Sequence, residues 1–174
     1  MRYFVILALT LGLLCLPLVA QENEYPKAEI FGGYQFTHLE GSVNANGWNA
    51  SVTGNANRWL GVAADFSGVY KTISGVHANA YTYTFGPVVS LNHAGPINPF
   101  VHALFGGAHL GASIPGVGSG STNGFSMMFG GGVDAKVHQN FAIRVAQLDW
   151  VYYHFSGVSS SKNMRLSTGI VLRF

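Results

Sequence analysis

From residue 27 onward the chain alternates apolar and polar side chains in runs broken by segments rich in Gly, Ser and Asn. Side chains alternate faces along a strand, so each run predicts a strand with one apolar and one polar face. Eight such strands can be read: Lys27 to Thr37, Gly47 to Gly54, Trp59 to Tyr70, Ala80 to Leu91, Phe100 to Leu110, Phe125 to Val137, Phe141 to Phe155 and Asn163 to Phe174. The last has the cleanest pattern. Met164, Leu166, Thr168, Ile170, Leu172 and Phe174 share one face, and Arg165, Ser167, Gly169, Val171 and Arg173 share the other. The fifth is apolar on both faces, so its orientation stays open. No helical period runs through this part of the chain.

Connections alternate in length. Asn55 to Arg58, Asn92 to Pro99 and His138 to Asn140 are short, whereas His38 to Asn46, Lys71 to Asn79, Gly111 to Gly124 and Ser156 to Lys162 are mostly longer. Short turns alternating with longer loops is the outer-membrane pattern of periplasmic turns and extracellular loops, with both chain ends periplasmic. Centring the sixth hairpin on Gln139 sets Asp134 opposite Arg144, Val133 opposite Val145 and Ala135 opposite Ile143. Charges then meet on one face and apolar side chains on the other. Continuing that parity would put Gln147 and Asp149 on the apolar face. A β-bulge near Ala146 returns both inward and turns Leu148, Trp150 and Tyr152 outward, so a bulge is predicted there.

Composition turns these amphipathic strands toward a membrane. Only 9% of residues are charged, 48% are hydrophobic and 23 are glycine, against about 25% charged in a typical soluble domain. Residues 1–20 read as an export signal: Arg2, an apolar stretch from Tyr3 to Leu16, Pro17, and Leu18-Val19-Ala20 before a cut at Gln21. Cys15, the one cysteine, leaves with it, so no disulfide is expected. The expected organisation is a signal peptide (1–20), a periplasmic lead-in (21–26) and a barrel (27–174). The mature part has no long apolar run, and a chain without a spanning helix crosses lipid only as a closed barrel. Arg2 is one of nine basic residues, so the mature chain has eight against seven acidic ones. That balance gives no reason to expect nucleic acid as a partner.

The inner face gathers Glu29, Asp65, Asp134, Lys136, Arg144, Arg165 and Arg173. The lumen of an eight-stranded barrel is just wide enough for side chains to fill, and buried charges need partners. A structural salt-bridge network is therefore expected, with Asp134–Arg144 as the best pair and Glu29–Arg173 stapling the seam between the first and last strands. A gate over a narrow ion path is the alternative. His38, His77, His93 and His138 fall in loops or turns and read as exposed. His102 and His109 have opposite parity, so they make no shared ligand face, and neither metal nor cofactor is expected. His154 and Ser156 lie two apart, the spacing of the His and Ser in outer-membrane lipid A deacylases. No Asp or Glu follows Asp149 to orient the histidine, so catalysis is not expected. The segment Gly116 to Gly124 reads as a flexible surface loop. Tyr34, Phe36, Trp48, Tyr70, Tyr81, Phe100, Phe125, Trp150, Tyr152 and Tyr153 sit near strand ends, as interfacial girdles do.

The segments "AEIFGGYQF" (Ala28 to Phe36), "RWLGVAADFSG" (Arg58 to Gly68) and the last strand carry a resemblance to the small bacterial outer-membrane β-barrels. That group includes OmpA-type transmembrane domains, OmpX-like proteins and opacity-like porins and adhesins. The resemblance implies an all-β fold, an eight-stranded antiparallel up-and-down transmembrane barrel, ending the chain without a peptidoglycan-binding domain. It implies a monomer in outer-membrane lipid, delivered by periplasmic chaperones and the barrel assembly machinery, for which Leu166, Ile170, Leu172 and Phe174 would form the C-terminal insertion signature. The expected role is structural or a surface interaction, such as adhesion or envelope integrity, with an extracellular ligand unnamed. A narrow or gated pore is the first alternative, and a lipid A hydrolase using His154 and Ser156 the second.

Overall fold

The computed structural model describes residues 25–41, 43–73, 76–93, 95–114, 118–155 and 157–174. The expected signal peptide lies outside the described residues. Eight strands follow in order: β1 (Ala28–Leu39), β2 (Val43–Asn55), β3 (Leu60–Ile73), β4 (Val76–Ser90), β5 (Ile97–Ile114), β6 (Gly118–His138), β7 (Phe141–Phe155) and β8 (Val158–Arg173). Each pairs antiparallel with the next, and β1 pairs with β8 from Glu29↔Arg173 to His38↔Met164, closing the barrel. The near rim carries the start of β1 and the end of β8. The hairpins β1–β2, β3–β4, β5–β6 and β7–β8 turn at the far rim.

Alternation chooses the faces. Val62, Phe66, Tyr83, Phe85, Leu148 and Ile170 point outward and exposed, while Asn49, Asp65, Thr84, Ser126 and Arg165 are buried inside. A band of exposed apolar residues around a polar interior inverts the soluble pattern and suits a lipid surround. β5 takes the orientation the sequence left open: Phe100, His102, Leu104 and Ala108 face in, whereas Val101 and Phe105 face out. Inside, Ala63, Val88, Phe100, Leu104, Met128 and Val151 form one apolar cluster, with Tyr153 packed on it, and Phe31, Ala142 and Val171 form another. Phe100 and Tyr153 are therefore lumenal packing, not girdle residues. Parity alone could not assign them where β5 is apolar on both sides and β7 is bulged.

The far-rim strands run longer than the sequence suggested. The segment expected to be a flexible loop is largely strand: Gly118 to Gly124 pair residue by residue with Ile114 back to Ala108. Gly, Ser and Asn have weak strand preference, but a hairpin in register supplies each with a neighbour's hydrogen bonds. The other far-rim connections shrink likewise, with Leu39↔Val43, Ile73↔Val76 and Phe155↔Val158 pairing across them. Gly41 (φ 86°) and Gly157 (φ 87°) take left-handed turn positions that other residues adopt at a cost.

Candidate functional site

The lumen holds the chemistry-bearing side chains in one connected column, beginning at the near-rim seam. There Arg173 Nε lies 2.8 Å from Glu29 Oε1 across the β1–β8 pair, and Arg173 Nη2 lies 3.7 Å from Asp134. The Arg173 nitrogens make no directed hydrogen bond, so charge proximity holds them. His93 reaches this cluster from the β4–β5 turn. Its Nδ1 lies 2.8 Å from the carbonyl of Arg58 and its Nε2 3.7 Å from Glu29. His93 is thus buried rather than exposed as its turn position suggested, because that turn folds under the barrel mouth. Leu91 N bonds Pro99 O, and Lys136 N bonds Pro96 O, fixing it there. Lys136 itself is half-buried at the rim, outside the network.

One step inward, Arg144 donates from Nε and Nη2 to the two oxygens of Asp134 at 2.8 and 3.2 Å. Its guanidinium carbon lies 4.3 Å from the ring centres of both Phe31 and Phe100. A planar cation between two aromatic faces gains cation–π attraction and cannot swing freely. Arg144 Nη1 donates to Gln147 at 2.7 Å, and Gln147 passes the chain on to Asp149 at 2.8 Å. The bulge builds this link. Asp134 pairs with Arg144, but Val133 pairs with Ala146, leaving Val145 extra. Val145 and Ala146 both face outward, so Gln147 and Asp149 return inside. The predicted register holds at Asp134 and Ala135, and it shifts by one at Val133.

Asp149 is the hub of the central layer. It accepts from Arg165 Nε at 2.7 Å, and His102 Nε2 lies 2.7 Å from its other oxygen. Arg165 turns its second edge to Asp65 at 2.8 and 3.3 Å, and Asn49 donates to Asp65 at 2.9 Å. Beyond this layer the lumen is polar and uncharged: Gln35 donates to Thr37, Ser67 contacts Thr82, and Asn163 donates to Val151 O. Six of the seven expected network residues meet in the column. The sequence reading omitted Gln147 and Asp149, although its own bulge placed them inside. It omitted His102 because β5 gave no face, and Asn49 because a neutral side chain carries no charge signal. A cavity of about 20 Å³ remains beside the column, touching Glu29, Asp134, Arg144 and His102. That is space for one or two waters.

Outside the lumen, Leu166, Ile170 and Leu172 on β8 and Phe174 just after it form an exposed outward row. Ser156 lies outside the described residues. His154 Nδ1 lies 2.9 Å from Ser159 Oγ, which also contacts the Tyr152 hydroxyl at 2.9 Å. Two aromatic groups mark the outer wall. Tyr70 receives Trp48 Nε1–H and meets the Tyr81 hydroxyl, and Phe105, Phe129, Trp150 and Tyr152 form a ladder with centroids 5.7 to 6.4 Å apart.

The outer membrane protein beta-barrel domain profile matches residues 6–174. The chain belongs to this family. It is therefore an outer-membrane β-barrel protein. Solved structures agree on the fold. The attachment invasion locus protein Ail of Yersinia pestis is 22% identical with a TM-score of 0.61, over 86% of this chain and 99% of that one. Ail has also been seen in complex with the heparin analogue sucrose octasulfate. Neisserial surface protein A is 15% identical with a TM-score of 0.69, over 84% and 96%. The N-terminal β-barrel domain of Pseudomonas aeruginosa OprF is 14% identical with a TM-score of 0.61, over 86% and 98%. A comparison with curated protein sequences finds no significant match.

Proposed function

We propose that this barrel is a monomeric surface-interaction protein, whose far-rim hairpins face outside the cell and whose two chain ends face the periplasm. The observation that carries the reading is the uneven far rim. β5 and β6 stay paired to Ile114↔Gly118, whereas β6 meets β7 only from Phe125↔His154. About six residues of β6 (118–123) thus run on past its neighbour, roughly 20 Å at about 3.3 Å per residue. β4 accompanies them up to His77↔Ser113. The free β6 edge, Gly118 to Asn123, carries neither charge nor proline. Such an edge is open to an extended partner strand. The sulfated ligand of the attachment protein Ail makes a polysaccharide a second partner to test.

On this reading the lumenal column is a structural plug, with no catalysis and no cofactor. The C-terminal row serves as the signature that assembly machinery reads. The test is adhesion by cells displaying the protein, to immobilised heparin and to cultured animal cells. Replacing residues 112–120 with an Asn-Gly turn should release most of the retained cells while leaving the barrel folded. Equal retention of both forms would refute the adhesive role.

A further inference from the structure

The barrel wall changes character where it rises past its neighbours at the far rim. Lower down, Phe66, Tyr83 and Phe105 face out, and Asp65, Thr84 and Ser126 face in. Higher up the two faces exchange polarity. Thr82 and Ala108 are buried inside, and the β4–β5 and β5–β6 registers run on from them without a shift. Alternation therefore points Ala80 and Ala78 on β4, and Leu110 and Ala112 on β5, inward. Outward from the same rows stand His77, Asn79 and Ser113, and from β6 Ser119, Ser121 and Asn123. A polar outer face does not suit acyl chains, so this part of the sheet stands beyond the apolar band. Its apolar face is the inner one, and Leu110 and Ala112 are exposed on it.

That inner face runs up to the free β6 edge and ends there on bare backbone. Lys71, Ala78, Ala112 and Gly120 form one ladder row from β3 to β6, and Val69, Ala80, Leu110 and Thr122 form the next. A strand added to β6 has two unlike faces to satisfy. Its outward side chains would lie beside Ser119, Ser121 and Asn123. Its inward ones would lie beside Gly118 and Gly120, where a bulky side chain can lean across the glycine toward Ala112 and Leu110. A Cβ on Gly120 would meet nothing within 4 Å, so that space is open.

Charge adds one more requirement. Lys71 is half-buried on the inner face and makes no hydrogen bond or ion pair among the described residues. In a closed ring of eight strands, β3 stands opposite the β7 position, which is where an added strand would lie. An acidic side chain in the inward row would thus face an unpaired ammonium. A second copy of the chain does not meet these needs. Its β6 edge would bring only Gly, Ser, Thr and Asn, leaving Leu110 and Ala112 uncovered and Lys71 without an acid.

Resting on the reading of β6 as the docking edge, we propose that its partner is an extended amphipathic segment of another protein. One alternating row of that segment carries bulky apolar side chains and an acid, and the other carries small polar ones.

The test uses the mature chain in phospholipid nanodiscs and fluorescent peptides of about seven residues, long enough for the free edge at about 3.3 Å per residue. The first peptide alternates Thr with Val and ends the Val row on Glu. The second has the same composition with Val on both faces. Two more copies of the first carry N-methyl groups on alternate amides, one set for each strand edge. We expect the first peptide to bind about tenfold more tightly than the second, the effect of taking a valine-sized side chain off an apolar face. One N-methylated copy should lose binding and the other keep it, because only one edge pairs with β6. Gly120→Leu fills the open space and should bring the first peptide down to the level of the second, with heat-modifiable mobility retained. Lys71→Gln should weaken the first peptide about threefold, as for an exposed ion pair, and leave a Gln-ended version unchanged. Equal affinity for the first two peptides would overturn the amphipathic partner while leaving the docking edge standing, since that edge is tested by cell retention. No peptide binding, while replacement of residues 112–120 still releases cells, would do the same. Self-association of the chain that the first peptide displaces would make a second copy the occupant and overturn the proposal too.

Discussion

Asp149 accepts from Arg165 and Gln147 and lies against His102, all buried inside the barrel wall. A carboxylate so placed stabilises mainly by what its loss would leave behind. Asp149→Ala strips Arg165 of one of its two carboxylate partners, and breaking a buried pair this way costs roughly 3–5 kcal/mol. Urea unfolding in lipid vesicles, followed by Trp fluorescence, should show a loss of that size. Lys162→Ala, at an exposed position, should stay within about 0.5 kcal/mol of the parent. Equal losses from the two variants would mean that the column does not hold the barrel together. Arg144 behaves differently, because Phe31 and Phe100 grip its plane. A lysine there keeps the charge but loses the stacked geometry and the fork onto Asp134.

The bulge on β7 sets which residues the column can use. Deleting Val145 removes the extra residue and restores simple alternation, with Gln147 and Asp149 still inward and Leu148 and Trp150 still outward. The deletion should therefore keep heat-modifiable mobility of the refolded protein in detergent, and a variant that migrates identically with and without boiling would show that the column depends on the bulge itself and not only on the faces it sets. The seam offers a second element-scale test. Gly33 and Gly169 pair directly across β1–β8, and a Cβ on Gly33 would meet the Thr168 carbonyl oxygen at 2.1 Å. Gly33→Val should therefore lower the urea midpoint, whereas Gly32→Val, with nothing within 4 Å, should not. A midpoint unchanged by Gly33→Val would count against close approach at the seam. These elements differ in how far the sequence revealed them. Strand number, the bulge and the Glu29–Arg173 staple were legible because alternation and charge parity are local signals. The far-rim extensions were not, because Gly, Ser and Asn there become strand only through a neighbour's hydrogen bonds. His93 was missed because a turn that folds back under the mouth leaves no periodic trace.

Across the whole molecule, the lumen and the far rim divide the work. A conducting path needs a continuous polar channel, yet Arg165 bridges Asp65 to Asp149, and Arg144 lies clamped between rings. The cavity beside Arg144 is about 20 Å³, enough for one or two waters. To conduct, the barrel would have to break several buried ion pairs together, each expensive to leave half-made. The parent protein in planar bilayers is therefore expected to give no single-channel steps. Arg144→Ala removes the plug's clamped side chain but leaves the Asp65–Arg165–Asp149 layer intact, so it should stay silent too. Arg144→Ala combined with Arg165→Ala opens both layers and should admit brief, small steps. Regular steps from the parent, altered in size by Arg144→Ala alone, would make the column a gate and favour a pore over surface interaction.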